Sequence, residues 1–224
     1  IAFDRESVFG AEAGLKYLVL GAVATGFMAF GIALVYLGAG TFHIPEAFAA
    51  MLTDHHLRPF ALFGWVMLTV AVGFKISLVP FHFWTPDVYQ GSPAPVGGML
   101  ATGSKGAVVA ALIGIYISLG QAVADLASLT WLLSAVTMIV GTFCALVQRN
   151  LKRMLAYSSV VHMGYVLIGL LAGGDEGMSA VSFYLVVLPL SPPSLMPAPS
   201  RRKKRIFRGS VIVTPSAAPC SRFS

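Results

Sequence analysis

Apolar residues run through this chain in stretches too long and too uniform for a water-soluble core. Five stretches reach spanning length, at roughly 17–39, 59–84, 96–119, 126–147 and 154–172, where a bilayer needs about 20 residues of helix. A sixth begins near Met178 and breaks down at Leu188. Within each stretch apolar side chains occupy all sides of the helix, as expected where helices face both lipid and protein. The pattern predicts an all-α membrane protein. It is a multi-pass helical bundle of about five complete spans with at least one broken helix.

The polar segments between these stretches set an orientation. "QRNLKR" (Arg149, Lys152, Arg153) is the basic loop of the body, and the positive-inside rule places it in the cytoplasm. Counting back, loop 85–95 and the N-terminus fall on the same side. Loops 40–58, 120–125 and 173–177 fall outside and carry Glu46, Asp54, Asp125, Asp175 and Glu176, with Arg58 their one base. The chain divides accordingly into a cytoplasmic N-terminal segment (1–16), a transmembrane region (17–187) and a tail (188–224).

Composition agrees with this division. The 224 residues are 57% hydrophobic and 11% charged, with mean hydropathy +0.81, whereas a soluble domain is about a quarter charged. The net charge of +6 arises in the tail, which holds seven bases and no acid; the remainder has eight bases against nine acids. The tail is rich in Pro, Ser and Arg without helical period and reads as disordered. "RRKKR" beside five spans is not read as a nucleic-acid site. The helix begun by "MSAVSFYLVV" stops without a stop signal, so residues 188–224 read as the product of a lost reading frame. The start at Ile1 reads as a fragment, and residues 1–16 lack the apolar core of a secretory signal. Cys144 and Cys220 make neither a disulfide framework nor a metal site.

The informative residues are the polar ones inside the spans. Lys105 lies near the middle of 96–119, and Lys75 lies past the middle of 59–84. A central lysine costs roughly 2.5–3.5 kcal/mol on insertion scales and usually faces a bundle interior or a water-filled path. Burial disfavours the charged form, so such a lysine can take up and release a proton, which a permanently charged arginine cannot do. The alternative is snorkelling to the headgroups. Pro80 removes a backbone donor five residues after Lys75, and broken helices at membrane depth line cavities or are buried in protein. On an unbroken helix His82 would share the face of Lys75. It suits proton relay or a hydrogen-bonded structural role beside Trp84. In "YSSVVHMGY", Ser158, His162 and Tyr165 share one helix face, a stripe that carries protons or bonds neighbouring helices. Glu12 and Lys16, at i and i+4, read as a surface ion pair at the mouth of the first span. No phosphate-binding loop, metal cluster or nucleophile triad is present in the sequence.

These residues carry a resemblance. "EAGLKYLVLGA", "GFKISLVPFHFWTPDVYQGSPAPV", "LATGSK" and "NLKRMLAYSSVVHMGYVLIGL" resemble the antiporter-like membrane subunits of the proton-pumping NADH–quinone oxidoreductase, respiratory complex I. Within that group the chain is similar to subunit N, from about Phe3 to Val187. The core from Pro80 to Asp87 is common to the group, while "TPDVYQG" with "ATGSK" points to subunit N. The resemblance implies a proton channel of inverted repeats, with Lys75 and Lys105 as proton carriers and His82 and His162 as motif histidines. It implies no cofactor in this chain, with FMN, iron–sulfur clusters and quinone elsewhere in the parent complex. Neighbouring antiporter-like subunits and the lipid bilayer would be its partners, with no nucleic acid, in the inner (plasma) membrane of a bacterium. The family's glutamate partner of the first lysine and its second-half lysine would lie outside the matched stretch. Two other readings stand beside this one: a subunit of a multisubunit cation/proton antiporter, and a truncated structural subunit that does not pump.

Overall fold

The computed structural model describes residues 1, 8–53, 58–119 and 123–187. The tail at 188–224 and most of the first seven residues lie outside them. The described residues form helices α1 (Val8–Ala39), α2 (Ile44–Thr53), α3 (Arg58–Ile76), α4 (Trp84–Gly91), α5 (Ala94–Met99), α6 (Lys105–Leu119), α7 (Val123–Leu146), α8 (Leu151–Ala172) and α9 (Gly174–Val187), with one π-helical turn at Leu100–Ser104. Five of the helical runs are long and apolar enough to cross a membrane.

The boundaries depart from the hydropathy pattern in ways with physical causes. The first helix starts at Val8 rather than near residue 17. Its 32 residues extend about 48 Å at ~1.5 Å per residue, well beyond the ~30 Å hydrocarbon layer, so the helix is longer than a single crossing requires. Hydropathy sets the start where charge ends, whereas the helix continues because Glu12 and Lys16 pair across one turn at 2.7 Å. The connection between the first two spans contains a short helix, α2, whose apolar face covers Trp65 through Phe48. The second span ends at Ile76, not residue 84. Pro80 does break the helix, but the break opens before it. Proline disfavours helical backbone at the residue before it, and the chain turns at Ser77, which takes φ 64°.

This break is well satisfied. The Ser77 N–H donates to the Phe74 carbonyl (3.2 Å) and that of Leu78 to the Gly73 carbonyl (2.8 Å). The Trp84 indole donates to the Phe74 carbonyl (3.0 Å), and the Thr85 hydroxyl donates to that of Ser77 (2.8 Å). The Val79 N–H is taken by Thr137 of α7 (3.2 Å). Thr137 is fully buried, and an orphaned buried donor costs about 1–3 kcal/mol. Thr137→Val, which keeps the shape and removes the acceptor, is therefore expected to lower the thermal stability of the detergent-solubilised protein by several degrees, measured as loss of native-gel signal on heating.

Helix pairs approach through small residues, which is how spans pack where lipid is as apolar as a side chain. A Cβ on Gly64 would lie 2.8 Å from the Gly31 carbonyl oxygen, and one on Gly38 would lie 2.8 Å from the Ala61 Cβ, so α1 and α3 touch backbone to backbone. Gly141 and Gly164 bring α7 and α8 together, and Gly169 and Gly177 do so for α8 and α9. The core between them holds Ile76, Leu78, Val109, Met163, Val166 and Leu170. Large apolar side chains such as Phe27, Trp131 and Phe143 face outward.

Candidate functional site

Lys105 is the first residue of α6, directly after the π turn. A π turn admits one extra residue and shifts the helix register; such turns recur at functional sites. Here the shifted residue is a lysine with no exposed surface. Its Nζ donates to the Ser159 hydroxyl at 2.9 Å and approaches the Ser159 carbonyl at 3.5 Å. Ser159 passes its own proton to the Ala156 carbonyl at 2.9 Å, so its oxygen is free to accept from the lysine. Nζ also stands 5.9 Å from the centre of the Tyr89 ring. Among the described residues Lys105 makes no ion pair. A fully buried amine held by one hydroxyl and a ring face has weak support for its charge. Its protonation state is therefore set by small changes around it.

One turn along α8 from Ser159 stands His162. Its Nε2 meets the Ser158 hydroxyl at 3.3 Å and its Nδ1 meets the Tyr184 hydroxyl of α9. Tyr165, expected on the same face, places its ring 6.0 Å from the imidazole and is half exposed. The stripe thus exists, and one of its partners, Tyr184, comes from a helix that the hydropathy pattern left incomplete.

Lys75 is half-buried in the last turn of α3, where the carbonyl end of the helix dipole favours a cation. It enters none of the hydrogen bonds described above. His82 lies past Pro80 in the turn between α3 and α4, so the shared helix face with Lys75 is lost. It is 5% exposed, stacks on Phe83 at 4.7 Å, and its Nδ1 has no hydrogen-bond partner.

A charged cluster that joins α1, α4 and α8 was not foreseen. Asp87 of α4 accepts from Lys16 of α1 at 2.8 Å and from Arg153 of α8 at 2.7 Å. Arg153 also reaches Gln90 at 3.1 Å and Gln148 at 3.2 Å, and Lys152 donates to the Ser92 carbonyl at 3.1 Å. The Glu12–Lys16 pair is therefore one arm of a network rather than an isolated surface contact. Partial burial works against the Asp87 carboxylate, but the hydrogen bonds and charges of Lys16 and Arg153 outweigh it and hold the carboxyl below its usual range. A signal was present in the sequence: Asp87 has no base within a helical turn, while Lys16 and Arg153 fall on the same side of the membrane by the charge rule. A cleft of about 280 Å³ opens here, lined by Phe9, Glu12, Asp87, Gln90 and Arg153 among others.

Comparison with known proteins joins these features. Residues 1–194 match the family model described as NADH:quinone oxidoreductase/Mrp antiporter, TM. The chain is 50% identical over 187 residues to NADH-quinone oxidoreductase subunit N of Geotalea uraniireducens, covering 84% of this chain and 40% of the relative. It is 52% identical over 187 residues to subunit N of Syntrophotalea carbinolica, covering 83% and 40%. A chain of respiratory complex I from Thermus thermophilus superposes with a TM-score of 0.67 at 37% identity, over 84% of this chain and 40% of that one. The chain thus spans about two-fifths of the length of these relatives. A multi-pass helical bundle with a broken span, a buried lysine and a match over most of its length belongs to the NADH:quinone oxidoreductase/Mrp antiporter membrane family.

Proposed function

We propose that this chain forms part of a membrane subunit of a bacterial NADH–quinone oxidoreductase and moves protons across the membrane as electrons pass from NADH to quinone in its partner subunits. The reading is carried by Lys105, an amine wholly buried beside a hydroxyl and an aromatic face rather than a carboxylate. Such a group takes a proton when the nearby field favours the charged form and gives it up when the field reverses. Lys75, at the carbonyl end of the half-helix before the break, is the second carrier. His82, beyond the break, and His162, between two hydroxyls, are relay groups. The chain itself performs no redox step; FMN and iron–sulfur clusters would lie in other subunits, with the neighbouring antiporter-like subunits as direct partners.

Ser159→Ala tests this reading in membrane vesicles that hold the assembled complex. It removes the hydroxyl that accepts from Lys105 and leaves its volume almost unchanged. A charge-assisted hydrogen bond of about 1.5–3 kcal/mol corresponds to a proton-uptake rate lowered roughly 10-fold or more. Unchanged uptake would show that the Ser159 hydroxyl does not tune the lysine, and unchanged uptake in Lys105→Ala would remove Lys105 from the path. The relatives named subunit N favour NADH-driven transport over cation exchange. Sodium-dependent proton exchange without NADH would reverse that choice.

A further inference from the structure

Two features of α4 meet on one short helix. Asp87 is tied to Lys16 and Arg153, and Tyr89, two residues on, lies against the Lys105 amine. The helix has eight residues and begins at the break, so no continuous helix upstream holds it in place. What fixes it is side-chain contact. Trp84 anchors its start to the Phe74 carbonyl, and the charged cluster anchors its middle and end. Gly91 at its C-terminus touches the backbone of Phe9, where a Cβ would come within 2.6 Å.

We propose that Asp87 is a positioning residue for Lys105: its clamp on α1 and α8 fixes α4, and α4 seats the Tyr89 ring against the buried amine. The proposal rests on the proton-carrier reading of Lys105. It assigns Asp87 to holding rather than carrying. A carboxylate that accepts from two cations at 2.8 and 2.7 Å is kept ionised and is a poor stop for a proton in transit. Charged and titratable groups around the clamp are Glu12 and Lys16 on α1, and Lys152, Arg153 and Tyr157 on α8. Around Lys105 they are Tyr89 on α4 and His162 on α8, one turn from Ser159. Loosening α4 from this cluster exposes the amine to water, which favours its charged form.

The test is NADH-driven proton uptake against pH, in vesicles holding the assembled complex, for Asp87→Asn, Asp87→Glu and Lys16→Gln. Asp87→Asn is expected to move the alkaline limb of the profile upward by roughly 0.5–1 pH unit, because a better-solvated amine keeps its proton to higher pH. Asp87→Glu, which keeps the charge, is expected to restore the limb, and Lys16→Gln to move it part of the way. Uptake lowered by the same large factor at every pH, with the limb unmoved, would overturn the proposal, since Asp87 would then act as a carrier. A profile unchanged in both Asp87→Asn and Lys16→Gln would overturn it as well. If Asp87→Asn fails to assemble, Lys16→Gln decides alone, because Arg153 still holds Asp87. Lys105→Ala run in parallel separates the two claims: uptake intact there overturns the carrier reading, whereas uptake lost there with unmoved Asp87 profiles overturns the clamp alone.

Discussion

Lys105→Ala is expected to slow coupled NADH oxidation at least ~10-fold in the assembled complex, a rise of ~1.4 kcal/mol in the barrier of the coupled step. The structure gives the reason. The lysine is wholly buried, so its removal opens a cavity rather than a surface gap, while Val109 of α6 stays packed in one apolar cluster with Met163 and Val166 of α8. Ser159 loses a donor, but its oxygen is left beside a backbone carbonyl rather than beside a stranded charge. The cavity costs some stability, so the rate is read against the amount of assembled complex. Under the proposed function proton movement and electron flow are coupled, so blocking the first slows the second until an uncoupler is added. The rate is measured with and without uncoupler, beside the amount of intact complex on a native gel.

The second large effect is structural. Gly64→Leu is expected to abolish assembly. A Cβ at this position would already lie 2.8 Å from the Gly31 carbonyl oxygen, the Val35 amide nitrogen and a Val35 methyl. Two of these three are backbone atoms and cannot move aside as the end of a flexible side chain could. Overpacking a formed interface costs typically ~1–3 kcal/mol and more where backbone must shift. The α1–α3 pair is the wall against which α2 packs through Phe48 and Trp65, so parting it disturbs more than one contact. Gly64→Ala is expected to reduce the amount of assembled complex and Gly64→Leu to remove the band. By contrast Gly21 and Gly26, around which nothing lies within 4 Å, should accept alanine without change.

Much of the fold was legible because membrane burial writes itself in one dimension. A run of apolar residues of spanning length needs no tertiary information, and all five spans exist near their expected positions. The broken helix at Pro80 was legible for the same reason, since proline acts on its own backbone and on the residue before it. The start of the break at Ser77 was not. It depends on Thr137, Thr85 and Trp84 from distant parts of the chain. The π turn before Lys105 was hidden too, because a single inserted residue in "LATGSK" changes no hydropathy sum. It is nevertheless what sets the lysine on the inner face.

The site divides along the same line. Lys105 and His162 could be singled out from the sequence, since a charge or a titratable ring in an apolar helix is rare by itself. Their partners Ser159, Tyr89 and Tyr184 could not, because serine and tyrosine are ordinary residues in spans. The Asp87 cluster joins residues 66 and 71 positions apart. The positive-inside rule assigned all three members to one side of the membrane, but only folding placed them within hydrogen-bond reach. His82 went the other way: spacing put it on the face of Lys75, and the break left it in the turn between α3 and α4.

The most direct measurement is the number of protons taken up per NADH oxidised by vesicles that hold the assembled complex, with Lys105→Ala against the unaltered protein at equal complex content. If Lys105 carries protons, uptake in the variant falls well below that of the unaltered protein, while its NADH oxidation recovers with uncoupler. Full uptake per NADH in an assembled Lys105→Ala complex would contradict it, and would leave the buried lysine a packing residue.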